Sequence, residues 1–446
     1  MADVVDSDAA GSPGPAAPGD VPGLVDGLFR RQAGQVVATL TRIFGPQHLD
    51  LVEDVVQDTL IKALRQWPYR GIPDNPGGWI MRVAKNGALD ALRRERSLRD
   101  RGEAIARLLA ERPGGDGPAD DALDSELRDD QLRMMFTCCH PALSREARVA
   151  LTLKTLGGFG VPEIARAFLA SENAIAQRLV RAKRLLREGV IPPVVPDAGE
   201  LPARLDSVLD VLYLLYNEGY GAHSGEELIR HELCAEAIRL TDLLARHPAG
   251  DRPKVHALLA LMLLQASRLP ARLDAGGDLL LLEDQDRARW DRRMIALGLQ
   301  ALARSATGDE LTEYHLQAEI AARHAVAPSY TATDWPRILD AYDALVRLTP
   351  SPVVALNRAV AVAMVRGPRA GLAEVARVRA AGGGTIDGYY LLHATAAELH
   401  RRAGDPGGGR DGFERALRLV ATGPERRFLT RKLRECGGPG AVGEQP

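Results

Sequence analysis

The chain has 446 residues, more than one ordinary domain needs, and its 46% hydrophobic and 26% charged content is that of a soluble globular protein. Aromatics are scarce at 4% while Ala, Leu and Arg abound, which favours helices over sheets. The net charge of −2 neither requires nor forbids nucleic acid, because a local basic face fits inside a neutral total. Four cysteines (Cys138, Cys139, Cys234, Cys436), two of them adjacent, make no disulfide framework and suit a reducing cytoplasm. The N-terminus lacks the basic-then-apolar pattern of a secretory signal, and the leucine clusters at Leu258–Leu264 and Leu279–Leu282 are too short to span a bilayer. The expectation is a cytoplasmic protein with no membrane partner.

In chain order, residues 1–22 are small, polar and rich in Pro and Gly, and read as a disordered tail. Residues 23–97 are helical in pattern, broken once at Tyr69–Gly78. In His48–Trp67, the apolar residues Val52, Val55, Leu60, Ala63, Leu64 and Trp67 form a stripe at helical spacing. Asp54, Gln57 and Asp58 stand at i, i+3 and i+4, so they share a different, acidic face. Next comes Asn75-Pro76-Gly77-Gly78-Trp79-Ile80, a turn entering a helix. From Arg82 to Arg101 seven Lys or Arg oppose three acids, the footprint of a helix laid against phosphates. Arg82, Lys85, Arg93 and Arg94 are its candidate contacts.

Residues 98–129 lose periodicity and read as a flexible, acidic linker. Residues 130–190 resume the helical pattern: a helix over Glu146–Gly158, a second over Val161–Phe168, and a third over Glu172–Glu188 capped by Ser171. The third buries Ile175, Leu179, Ala182 and Leu186. Its other side carries Asn173, Gln177, Arg178, Arg181, Lys183, Arg184 and Arg187, an excess of three positive charges over the helix. Short helix, turn and basic helix predict a helix-turn-helix whose last helix enters a major groove, with Asn173 and Gln177 as base readers. An ordinary three-helix bundle is the plainer alternative. Cys138 and Cys139 are expected to be buried and structural, since adjacent helical cysteines diverge and no C-x-x-C partner exists.

After a Pro-rich linker at 191–203, residues 204–425 form a succession of amphipathic helices, with 426–446 as a second flexible tail. Two helix pairs turn at Gly367 and Gly404, 37 residues apart, near the period of helix-pair repeats. Tyr216, Asn217, Glu218, Tyr220, Asp284 and Trp290 make polar-aromatic clusters able to line a concave surface, with capping and packing as the alternative. The fold class expected is all-α, with no strand pattern anywhere.

The pairing of D-x-x-Q-D at Asp54–Asp58 with N-P-x-x-W-I-x-x-x-A-K-N-x-x-x-D-x-x-R-R at Asn75–Arg94 resembles region 2 of the extracytoplasmic-function sigma factors. Pro162-Glu163-Ile164-Ala165 and Arg178-Leu179-x-Arg181-Ala182-Lys183 resemble their region 4. The resemblance implies that Asp54, Gln57 and Asp58 contact the clamp helices of the largest subunit of core RNA polymerase. It implies that the Trp79–Arg94 helix captures the −10 promoter element, with Asn86 lining a pocket for a flipped base. It also implies that Arg178 and Arg181 contact the −35 element and that the polymerase flap region is a partner. Leu169 where a turn glycine is usual, and Ala176 where a basic residue is common, depart from the pattern.

The residues beyond 200, with Tyr216–Tyr220, Leu281–Asp286, Trp290 and Leu316–Ala322 as landmarks, look like the subgroup with a tetratricopeptide-like extension. That extension is thought to control activity, through a protein regulator or an intramolecular contact. The function expected is an alternative sigma factor, without catalytic residues, cofactor or bound metal. Its rivals are an autonomous helix-turn-helix regulator that never binds polymerase, and an enzyme built on the extension. For the latter, Glu218, His223, His231 and Asp284 show neither metal spacing nor a nucleophile motif.

Overall fold

In the computed structural model, which describes residues 21–97, 120–168, 170–221, 229–382 and 385–437, the chain is helical throughout, and an isolated bridge between Leu273 and Leu279 is the only β feature among the described residues. The helices are α1 (Val21–Phe44), α2 (Leu49–Arg70), α3 (Pro76–Ser97), α4 (Asp120–Cys138), α5 (Arg145–Thr155), α6 (Val161–Ala167) and α7 (Glu172–Arg187). They continue as α8 (Leu201–Tyr220), α9 (His231–Arg246), α10 (Pro253–Ala266), α11 (Arg292–Ser305), α12 (Glu313–Val326), α13 (Trp335–Leu348) and α14 (Pro352–Arg366). The last four are α15 (Pro368–Ala381), α16 (Tyr390–Arg402), α17 (Pro406–Leu419) and α18 (Gly423–Glu435).

Two compact units result. The first takes the described residues up to Cys138, with Ala150–Ile164 and Ala176–Val194. Its core is aliphatic: Leu40, Val52, Ile80, Leu132, Met135 and Leu151 are almost wholly buried. Burial of each such side chain stabilises by about 1.5–3 kcal/mol. Helix α1 is in the middle of this unit and packs on α2, α3 and α4. A Cβ on Gly34 of α1 would stand 2.1 Å from the Leu156 carbonyl oxygen, so only glycine lets the two backbones approach this closely. Arg42 of α1 reaches the buried Asp130 of α4 at 2.6 Å, compensating a carboxylate that burial alone would penalise.

The second unit takes Cys139–Val149, Ala165–Ile175 and Val195 onward. Its helices pack consecutively, most closely α10 on α11, α14 on α15 and α16 on α17. Leu356, Ala359, Val375, Leu392 and Leu399 make one apolar seam, and Ala397, Phe413, Ala416, Phe428 and Leu429 the next. The two expected helix–glycine–helix turns are present: α14 ends at Gly367 and α16 is followed by Gly404, with φ of +90° and +80°, each turning the chain into the next helix.

Four expectations require correction. Residues 120–129, read as linker, begin α4, while 98–119 lie outside the described residues. Residues 426–435, read as tail, belong to α18, where Phe428 and Leu429 are buried against α16 and α17. The first tail was expected to reach residue 22, but α1 starts at Val21, and residues 1–20 lie outside the description. The buried stripe of α2 is Leu49, Val52, Val56, Thr59 and Ala63, whereas Leu64 is 54% exposed. The observed stripe advances by alternating steps of three and four, which follows a 3.6-residue turn more closely than the sequence reading did.

Candidate nucleic-acid interface

On α2, the inward Val52, Val56 and Thr59 leave Asp54, Gln57 and Asp58 together on the exposed side. The Thr59 hydroxyl donates to the Val55 carbonyl at 2.8 Å, which lets a polar residue occupy the buried stripe. These three polar side chains, within one helical turn of each other, are all exposed to water and take no part in the packing of α2.

Helix α3 follows Gly71, whose φ of +81° ends α2. The Asn75 side-chain oxygen accepts from the Gly78 N–H at 2.7 Å, and Pro76 occupies the first helical position where an N–H has no partner. Ile80, Ala84, Ala88 and Leu92 are buried, which turns Arg82, Asn86, Arg93 and Arg94 outward, with Lys85 half-buried. Trp79 is also half-buried and packs edge-on against Trp67, ring centroids 5.6 Å apart. Asp90 takes up part of the Arg93 charge at 3.6 Å, and the Arg94 Nε donates to the Asp90 carbonyl, but both cations stay exposed.

Helices α5, α6 and α7 are in the order expected of a helix-turn-helix. Ser171 caps α7, its Oγ accepting from the Ala174 N–H at 3.1 Å. Glu163 reaches back to the Gly160 N–H at 2.7 Å in the turn before α6. Leu169, singled out in the turn, lies outside the described residues. Ile175, Leu179, Ala182 and Leu186 are buried as expected, while Asn173, Gln177, Arg181 and Arg184 are exposed and Arg178 is half-buried.

Lys183 is a correction. It was placed on the exposed basic side but is 9% exposed, its ammonium donating to Asp50 at 2.6 Å and to Glu53 at 2.9 Å. Burial alone would lower its pKa, but the Glu53 and Asp50 carboxylates more than offset that and hold it above the ordinary lysine value. The partners are 130 and more residues away, and no local signal announces such a pair.

The extension's candidate surface is also corrected. Tyr216 is fully buried, its hydroxyl donating to the Met262 carbonyl at 3.0 Å, and its ring stacks on Tyr220. Glu218 is buried in an ion pair with Arg230, and Trp290 is 3% exposed beneath the Arg287 guanidinium. Asn217 and Tyr220 are half-buried, and Arg272 donates to the Tyr220 carbonyl while lying 4.0 Å over its ring. Asp284 alone of the six is exposed. Tyr216, Glu218, Tyr220 and Trp290 therefore pack within the extension, and Trp290 also lines a cavity there.

Sequence reasoning missed a set that ties region 4 segments to the extension. Arg148 of α5 donates to the Ser207 hydroxyl of α8 at 2.8 Å, and Ser207 donates to the Cys139 carbonyl at 2.5 Å. Arg230 donates to the Ala167 carbonyl at 2.8 Å. Cys138 and Cys139 are wholly buried, as expected.

Comparison with known proteins matches sigma-70 region 2 to residues 28–98 and sigma-70 region 4 to residues 133–186. The chain is an extracytoplasmic-function sigma factor. Its extension carries a family of unknown function (DUF6596) at residues 204–306. The sigma factor is 26% identical over 176 residues to the ECF RNA polymerase sigma-E factor of Haemophilus influenzae, covering 37% of this chain and 86% of that protein. It is 40% identical over 414 residues to an uncharacterized protein of Rhizobium meliloti (strain 1021), covering 92% of this chain and 96% of that one, so the extension is shared as well. No solved structure matches the chain significantly. As an alternative sigma factor it has core RNA polymerase and promoter DNA as partners, and such families are not enzymes. No described helix is long and apolar enough to cross a membrane.

Proposed function

We propose that Asp54, Gln57 and Asp58 dock on the clamp helices of the largest polymerase subunit, and that region 4 meets the flap region. Arg82, Lys85, Arg93 and Arg94 neutralise phosphates at the −10 element, where Trp79 and Asn86 meet the unstacked base. Asn173, Gln177, Arg178, Arg181 and Arg184 read the −35 element from α7. Lys183 joins them only after leaving Asp50 and Glu53, so the arrangement of α2 and α7 corresponds to a resting state that opens on the polymerase.

The observation that carries this reading is the exposure of the acid-amide face of α2 together with the exposed cations of α3, each positioned by its own buried stripe. The bonds from Ser207 and Arg230 to Cys139, Arg148 and Ala167 support control by the extension, because they grip region 4 directly. The test is run-off transcription with core polymerase, comparing the full chain, a truncation after Pro196 and an Asp54→Arg/Asp58→Arg variant. Promoter-specific transcripts from the full chain that vanish on charge reversal are expected, and the truncation gives the sign of the extension's effect. Transcripts unaffected by charge reversal would remove the α2 face from polymerase docking.

A further inference from the structure

The extension contains two cavities that its role in a sigma factor does not account for. The first, about 530 Å³, is bounded by α12–α18 and the segment between α10 and α11, with Leu281, Trp335, Val360, Tyr390, Phe413 and Phe428 on its walls. The second, also about 530 Å³, is far more polar, with Tyr213, Gln265, Arg268, Trp290, Glu313 and Gln317 among its lining. Leu282, His324, Tyr342 and Asn357 line both, so the two chambers adjoin. Each lies in the size range of small-molecule sites.

The charges in the two chambers are arranged differently. In the apolar chamber Arg402 is held by Glu398 at 2.7 Å and Glu283 at 2.6 Å, and Glu425 accepts from Tyr390 and from the Thr422 hydroxyl. In the polar chamber the arginine has no such partner. Among the described residues no carboxylate comes within ion-pairing distance of Arg268 or of the neighbouring Arg287, and one terminal nitrogen of Arg287 is buried without a partner. The Trp290 indole N–H, on a side chain 97% buried, likewise has no acceptor. Glu313 is the acid in this chamber, and it already accepts from the Thr349 hydroxyl. His324 adds no positive charge: burial, then Arg268 and Arg287, push its pKa down to about 3. The polar chamber therefore presents a half-buried arginine without a carboxylate partner beside an apolar space, and a cation withdrawn from water in this way costs free energy until a counter-charge arrives.

We propose that the extension binds a small amphipathic monocarboxylate, its apolar body in the first chamber and its carboxylate at Arg268 in the second. Arg268 supplies the charge, and Gln265 and Gln317 are further polar groups of the same lining. Leu282, Tyr342 and Asn357 form the waist between body and head.

The full-length protein is titrated with dodecanoate below its micellar concentration, followed by calorimetry, with methyl dodecanoate as the uncharged control. Saturable binding of one dodecanoate per chain is expected, with the ester at least tenfold weaker. Arg268→Met is expected to weaken the acid at least tenfold and leave the ester unchanged, and Val360→Trp, which fills the apolar chamber, to weaken both. No saturable binding, equal binding of acid and ester, or an Arg268→Met variant that binds the acid as the parent does would overturn the proposal. Tighter binding of a leucine-rich hexapeptide with a free C-terminus would assign the chambers to a protein tail instead. The acid-ester comparison needs no variant, so a misfolded mutant cannot obscure it. Neither polymerase nor promoter is present, so failure here leaves the sigma-factor reading standing.

Discussion

The Lys183→Met substitution separates two roles for that lysine. In the structure its side chain is 11% exposed, Glu53 is 10% exposed and Asp50 57% exposed. Glu53 accepts from Lys183 through one oxygen, and its other oxygen is buried without a partner. Removing the ammonium leaves that carboxylate with no counter-charge, a cost of about 1–3 kcal/mol. The solvated Asp50 adds at most about 1 kcal/mol, and the full penalty of a deeply buried pair does not apply. Opening between α2 and α7 then becomes about 5–150-fold easier. Amide hydrogen exchange of peptides covering residues 49–60 and 172–187 reads this directly.

The lysine's pKa is held above its ordinary value, so the pair stabilises at every pH below about 10.4 at which the carboxylates are charged, and is lost as pH rises past the raised value. The double variant Lys183→Met/Glu53→Leu recovers protection, since two apolar side chains replace a charge pair at little cost. Promoter affinity of the single variant rises if Lys183 is chiefly a latch. A salt slope reduced by about one, with lower affinity, would mean that phosphate contact dominates. Unchanged exchange in the variant at pH 7 refutes the latch.

Two further substitutions test the scaffold under the site. Gly34→Ala gains up to about 1 kcal/mol of helix propensity but drives a Cβ to 2.1 Å from the Leu156 carbonyl, so a net loss of about 1–3 kcal/mol is expected in thermal melts. A stabilised variant would show that α1 and the turn after α5 are not in backbone contact. Asn75→Ala removes the acceptor of the Gly78 N–H and is expected to cost about 1 kcal/mol of region 2 stability and weaken −10 binding, while Asn75→Ser retains both. Equal behaviour of the two variants in melts and in −10 fork-junction binding would disprove the cap.

What was legible in the residues was local. The buried stripe of α7, the Asn75-Pro76 entry to α3 and the glycine turns at Gly367 and Gly404 follow from helical periodicity and turn chemistry, which act over a few residues. The acid-amide face of α2 was legible for the same reason, since i, i+3 and i+4 spacing fixes a shared face whatever lies behind it.

Tertiary structure decided which face of each helix meets a neighbour. Val56 and Thr59, not Leu60 and Leu64, meet the core, because the packing of α1 and α3 sets the rotation of α2. Tyr216 and Glu218 look like surface chemistry in one dimension, but Met262 and Arg230 arrive from beyond their helix to cover them. Lys183 shows the distinction most plainly: composition and spacing make it one more cation on a basic helix, and two carboxylates more than 120 residues earlier in the chain take it away from solvent. The periodicity of a segment states that a face is polar, whereas its electrostatic partner depends on distances that only the folded chain establishes.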